Sequence, residues 1–157
     1  MAALQHEVNK KRPFDLPEQE AFLNLIRTAA DLEGPLLGVL KPHGLTPSTY
    51  NVLRILRGSG KAGRHASDIG CDMVVRVPDV TRLVDRLEQR GLVERERSTS
   101  DRRVVVVRIS REGRALLKKL DGPVLAVHRD QLGHLSAEDL RTLNGLLVKA
   151  RKAEGED

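Results

Sequence analysis

Apolar residues fall at helical spacing along nearly the whole chain, with one break in period. From Leu16 to Lys41, Phe22, Leu25, Ile26, Ala29, Leu32, Leu36 and Leu40 form one stripe. Pro17 and Glu18 suit its first turn, Pro35 predicts a kink, and Pro42-His43-Gly44 ends it. Thr46-Pro47 opens a second helix with Tyr50, Leu53, Ile55 and Leu56 on its apolar side, and the loop Gly58 to Gly63 closes it. His65 to Met73 reads as a short helix capped by Ser67 or Asp68, with Ile69 and Met73 turned inward. Gly70 within it costs about 1 kcal/mol relative to Ala and predicts a flexible joint. Val77-Pro78 then starts a further helix, in which Val80, Leu83, Val84 and Leu87 fall at i, i+3, i+4 and i+7, and Gly91 stops it.

Here the period changes. Leu92 to Arg97 and Arg103 to Ile109 read as two strands, with the polar run Ser98-Thr99-Ser100-Asp101-Arg102 as the loop between them. Helical spacing then resumes. Ser110 caps a long helix through Leu116, Leu117, Leu120, Val124, Val127 and Leu132, with a break expected at Gly122-Pro123. Ser136 to Asp139 reads as a capping box for a last helix carrying Leu140, Leu143, Leu147 and Ala150. Met1 to Asp15 is polar, contains Lys10-Lys11-Arg12, and is expected to fray.

A helix followed at once by a basic-tipped hairpin is the plan of a winged helix-turn-helix. The predicted fold is mostly α with a small β-hairpin wing, in a single domain over residues 1–157. Residues 46–110 form the winged module, and 16–41 and 111–152 supply terminal helices. Such a module needs only about 60–80 residues, so the terminal stripes must be buried elsewhere. A two-fold dimer is the simple solution, and completion of a monomer core is the alternative. With its stripe turned inward, the helix after Pro78 leaves Thr81, Arg82, Asp85, Arg86 and Gln89 outside. Arginine there suits a guanine edge or a phosphate. We refer to this element as the reading helix.

Charge sharpens this picture. Thr81 to Lys119 holds twelve Lys/Arg against six Asp/Glu, while the whole chain carries +5. The excess is therefore local, as for a polyanion footprint. Only Phe14, Phe22 and Tyr50 are aromatic, too few for base-stacking platforms, which favours duplex DNA over single strands. The single cysteine excludes an internal disulfide, and no stretch has signal-peptide or membrane-span character, so a cytoplasmic setting is expected. His6, His43, His65, His128 and His134 have no metal-ligand spacing, and Gly58-Ser59-Gly60-Lys61-Ala62-Gly63 lacks the first Gly and the Ser/Thr of a phosphate-binding loop. No hydrolase elbow or dinucleotide fingerprint occurs. No enzymatic activity, metal or cofactor is expected.

Thr46 to Leu120 resembles the MarR (multiple-antibiotic-resistance regulator) family of bacterial and archaeal repressors. Asp101-Arg102-Arg103, then Val104 to Ile109, Ser110 and Gly113, is similar to that family's wing signature. Thr81 to Leu87 with Gly91-Leu92-Val93 is similar to its reading helix and exit. The resemblance implies a homodimeric regulator of an inverted-repeat operator in duplex DNA. It implies that Arg103 enters the minor groove or grips its phosphates, and that Asp101 orients basic wing residues. Thr81 and Arg82 would contact bases or phosphates, and Arg86 either DNA or Asp101. Arg76, Asp79 and Arg102 flank these positions and complete the expected DNA-binding set. It also implies a small lipophilic or phenolic effector, entering between the dimer helices and the winged module and releasing DNA. Position alone makes His43 and Tyr50 the cleft candidates. Pro78 and Gly70 depart from what many relatives carry. Cys71, beside the reading helix, is expected to pack as a small inert side chain, with a redox-sensing role as the alternative. The rival for the whole chain is a winged-helix module that binds an acidic protein.

Overall fold

Five short elements and two long helices share a single core, the N-terminal long helix through its last residue, Leu40. Val52, Leu53 and Leu56 of α3 (Pro47–Gly58) meet Ile69 of α4 (Ala66–Asp72) and Val84 and Leu87 of α5 (Val80–Gln89). Val93 of β2 (Val93–Arg97), Val107 and Ile109 of β3 (Val105–Ile109), and Leu117 and Leu120 of α6 (Arg111–Leu132) close the cluster. The computed structural model describes residues 4–97 and 105–151. Its remaining elements are α1 (Leu4–Glu7), α2 (Pro17–Leu40) continued by a 3-10 turn at Lys41–His43, β1 (Arg64–His65) and α7 (Ala137–Arg151).

Local chemistry sets the element boundaries. Thr46 caps α3 reciprocally: its hydroxyl accepts from Thr49 N at 3.2 Å, and Thr49 Oγ1 accepts from Thr46 N at 2.8 Å. Ser136 and Asp139 do the same before α7, with Asp139 Oδ2 accepting from Ser136 N at 3.2 Å and from its hydroxyl at 2.6 Å. These bonds hold the Asp139 carboxyl below its ordinary range. Helix α5 leaves through a left-handed Gly91 (φ 67°), with Gly91 N donating to Glu88 O at 2.8 Å and Leu92 N to Leu87 O at 2.9 Å. This paired closure requires a residue that tolerates positive φ, and it turns the chain directly into β2.

The sheet has the order β1-β3-β2, all antiparallel, with Val93 opposite Ile109 and Arg97 opposite Val105. β1 adds Arg64 opposite Val107. At two residues it is too short to leave an alternating pattern that could predict it.

Several boundaries differ from the sequence reading. Helix α5 begins at Val80 rather than at Pro78, because the Asp79 carboxylate accepts from Arg82 N at 3.0 Å and so takes the cap position. Neither Ser67 nor Asp68 caps α4, for the Ser67 hydroxyl bonds Asp68 instead and His65 stands at the cap without a side-chain bond. Gly70 serves close packing rather than a joint, since a Cβ there would stand 3.2 Å from Val80 Cγ2 of α5. Helix α6 runs unbroken through Gly122-Pro123, and α2 remains one helix through Pro35. Both prolines are exposed, so water can take the carbonyl left without an N–H partner. The N-terminal arm is also more ordered than its polarity suggests. Leu4 is buried, and Glu7 pairs with Arg27 at 3.2 Å.

Two arginines position the reading helix and its supports through ion pairs. Arg57 of α3 holds Asp121 of α6 through both guanidinium nitrogens, at 2.8 and 2.9 Å. Arg95 of β2 reaches back to α5, with Nη2 at 2.5 Å from Asp85 Oδ1 and 3.3 Å from Thr81 O, and Nε at 3.6 Å from Glu88 Oε2. The wing strand therefore braces the reading helix along two of its turns.

The Arg57 bonds hold the Asp121 carboxyl below the ordinary carboxylate range. A depressed carboxyl contributes stability that is present at neutral pH and disappears as pH falls through its folded value. With side chains 31% and 39% exposed, the pair contributes under about 1 kcal/mol. Asp121→Asn is expected to lower the neutral-pH melting temperature slightly; this difference should begin to shrink as pH falls below about 4, the unfolded carboxyl's value, and vanish only once pH is below the lowered folded value. Arg95→Met keeps the stem's packing but leaves two helix carboxylates without their cation. A loss of about 1–2 kcal/mol in urea unfolding is expected.

Candidate nucleic-acid interface

The outward face of α5 is polar and cationic. Val84 and Leu87 are buried and Val80 and Leu83 partly so, which leaves Thr81, Arg82, Arg86 and Gln89 exposed. The Arg82 side chain is 78% exposed, and its Nε lies 3.5 Å from Asp79 Oδ2. Arg82 and Arg86 stand one turn apart, so both forks can enter one groove. Asp85, expected on this face, instead leans on Arg95 and is only partly exposed. This neutralises a carboxylate that would otherwise oppose a phosphate backbone. Arg76 is exposed on the connection before α5. Asp79 is committed to capping, and its charge suits the positive end of the helix. Asp101, Arg102 and Arg103 lie outside the described residues.

The basic excess is less concentrated on this face than the charge count implies. Arg95 is consumed by the brace, and Arg108 pairs with Glu96 at 2.5 Å and donates to Lys61 O at 2.9 Å. Arg108, Arg111 and Arg114 line a second hollow of about 420 Å³ together with Lys61 and Glu94. Strand alternation puts Arg108 on the sheet face opposite Val107, away from the core.

A mostly apolar cleft of about 480 Å³ lies between the long helices and the winged module. Glu33 and Leu36 of α2, Tyr50, Asn51 and Arg54 of α3, and His128 of α6 form its walls. Met73, Val74 and Val75, on the connection to the reading helix, form its rim, and Val74 N donates to Asn51 Oδ1 at 2.9 Å. Arg54 Nη1 donates to Tyr50 Oη at 3.1 Å, with the guanidinium 5.9 Å from the ring centre. Tyr50 thus lines the cleft, whereas His43 is not among its lining residues. The His43 carbonyl accepts from Arg90 Nη2 at 2.7 Å. Sequence reasoning missed Arg54, although its place four residues after Tyr50 was the available signal. Asn51 and His128 carry no such signal.

Cys71 is exposed, contrary to the packed position expected for it, because it points off the outer side of α4. Among the described residues no group of His, Cys, Asp or Glu could hold a metal ion, and no helix is long and apolar enough to cross a membrane.

Comparison with known proteins agrees with this geometry. The family model described as the MarR family matches residues 45–105, which take in α3, α4, α5 and most of the wing. The crystal structure of a MarR transcription factor from Planctomyces limnophilus is 40% identical, covers 86% of this chain and 98% of its own, and superposes with a TM-score of 0.67. AbsC, a MarR family transcriptional regulator from Streptomyces coelicolor, is 27% identical over 87% of this chain and 93% of its own, with a TM-score of 0.77. The homoprotocatechuate degradative operon repressor of Escherichia coli is 28% identical over 109 residues, 69% of this chain and 72% of that protein. Members of this family are transcription regulators rather than enzymes. With the reading helix, the wing strands and the long flanking helices all in the corresponding order, the chain belongs to the MarR family of DNA-binding transcription regulators.

Proposed function

We propose that this protein is a homodimeric repressor of an inverted-repeat operator, released by a small lipophilic or phenolic molecule bound in the cleft. The observation that carries the reading is the outer face of α5. Two arginines project from it one turn apart, while its carboxylate at position 85 is withdrawn to the wing. Arg82 and Thr81 make base or phosphate contacts, Arg86 and Arg76 support them, and Arg103 grips the minor groove from the wing.

Uncovered apolar surface supports the dimer. Phe22 and Ile26 of α2 are 61% and 56% exposed, and α7 buries no residue at all, leaving Leu146 61% exposed. Large exposed apolar side chains on both terminal helices are expected to be covered by another chain. Both termini contribute such side chains, so a second copy packed about a two-fold axis buries them together and presents two reading helices. Cleft composition supports the effector. Its surface is chiefly apolar, and Arg54 and His128 are available to orient one polar group. Its rim leads straight into the reading helix, so an occupant that shifts residues 73–75 shifts DNA contacts.

Selection of binding sites from a random duplex pool tests the reading. An inverted repeat supports it, and enrichment of no sequence overturns it. On the selected operator, Arg82→Ala and Arg103→Ala are each expected to weaken binding about 10–100-fold without unfolding the protein. Unchanged affinity in both removes their assignment. Ile26→Glu combined with Leu146→Glu should halve the mass measured by light scattering and abolish operator binding. Arg54→Ala should leave operator affinity unchanged while removing release by any phenolic compound found active on the wild type.

A further inference from the structure

Arg90 stands directly after the last helical residue of α5 and reaches across to a different part of the chain. Its Nη1 donates to Gly44 O at 2.6 Å, and its Nη2 donates to His43 O at 2.7 Å. Both carbonyls lie at the end of the 3-10 turn that continues α2. Carbonyls at a helix terminus lack intrahelical partners and carry the negative end of the dipole, so a planar cation with two parallel donors suits them. One side chain thereby joins the exit of the reading helix to the exit of the long N-terminal helix. The entrance of α5 is tied to the wing strand, where Arg95 Nη2 donates to Thr81 O at 3.3 Å, rather than to α2. Its cap, Asp79, bonds within the same helix, and the preceding segment is held at Val74 by Asn51.

We propose that Arg90 is a positioning residue that fixes the angle of the reading helix against α2, and so sets the half-site spacing the dimer accepts. This rests on the two-fold, operator-reading dimer argued above. The length of α5 makes the angle consequential. Ten residues span about 15 Å, so a 10° swing about one end displaces the other by roughly 2.6 Å. Opposite swings in the two copies change their separation by about 5 Å, more than one base-pair rise of about 3.4 Å. The clasp is nonetheless cheap for the fold to lose. Arg90 is exposed, and water can reach both carbonyls once it is gone. Loss of the clasp therefore frees an orientation without opening the core.

The test uses the full chain, Arg90→Ala and Arg90→Lys. Each is titrated against duplexes carrying the selected inverted repeat with its spacer lengthened or shortened by one and two base pairs, and against a single half-site. Wild type is expected to prefer its own spacer by about 10-fold or more, because misplaced base contacts are individually expensive. Arg90→Ala should bind every spacer within about 3-fold of the others, keep its half-site affinity within about 2-fold, and melt within about 3 °C of wild type. Lysine reaches one carbonyl rather than two, so Arg90→Lys should restore part of the spacer preference. Wild-type spacer preference in Arg90→Ala overturns the proposal. So does an equal loss on all spacers and on the half-site, which marks Arg90 as a direct phosphate contact. A wild-type protein that binds the half-site but shows no spacer preference overturns the two-fold reading, and the role of Arg90 with it.

Discussion

One buried hydroxyl holds the winged module together. Ser110 Oγ donates to Gly91 O at 2.7 Å and accepts from Gly113 N at 3.0 Å, and its own N–H donates to Leu92 O at 3.1 Å. Those three bonds join the exit of the reading helix, the end of β3 and the start of α6. Ser110 Oγ and Gly113 N would be buried polar atoms without partners if either moved away, which favours keeping these segments together. Ser110 itself is 3% exposed, and its bond to Gly113 N is buried, while the bond to the exposed Gly91 is part-buried. The reading helix can therefore rest on a rigid floor at its C-terminal end.

From that floor the remaining contacts grade from firm to soft. The Arg95 brace ties the wing strand to the middle of α5, and Arg57 with Asp121 ties α3 to α6. The N-terminal end of α5 has only the long Arg95–Thr81 O bond and the contact of Val80 with Gly70 to hold it, and it is entered through residues 73–79, which carry the exposed Val74 and Val75 along the rim of the cleft. A helix fixed at one end and loosely approached at the other has a natural direction of movement. This places the soft end beside the proposed effector and the firm end beside the wing. Regulation in such an arrangement needs no change in the core, only a change in how one short connection lies.

The charge pattern is a lesson in what counts conceal. Twelve cations between Thr81 and Lys119 suggest one dense basic surface. The fold divides them among several tasks. Arg95 and Arg108 neutralise Asp85 and Glu96, Arg90 clasps two carbonyls, and Arg111 and Arg114 border a hollow with Lys61 and Glu94. What remains on α5 is a pair, Arg82 and Arg86, cleared of the acid beside them. Specific readout depends on that clearing more than on the total charge.

Sequence alone determined the parts governed by local rules. The stripe Val80, Leu83, Val84, Leu87 predicted the reading helix, Gly91 its exit, Ser110 and the Ser136–Asp139 pair their caps, and the change of period the hairpin. These depend on neighbours within a few residues, so spacing and residue type suffice. Tertiary structure decided whatever required partners far along the chain. β1 exists because β3 offers an edge, Asp85 turns inward because Arg95 waits on β2, and two proline-containing helices stay whole where packing and solvent access permit. The cleft belongs to the same class. Glu33, Arg54 and His128 meet only because three helices cross there, and no local pattern encodes a meeting of residues 21 to 95 positions apart.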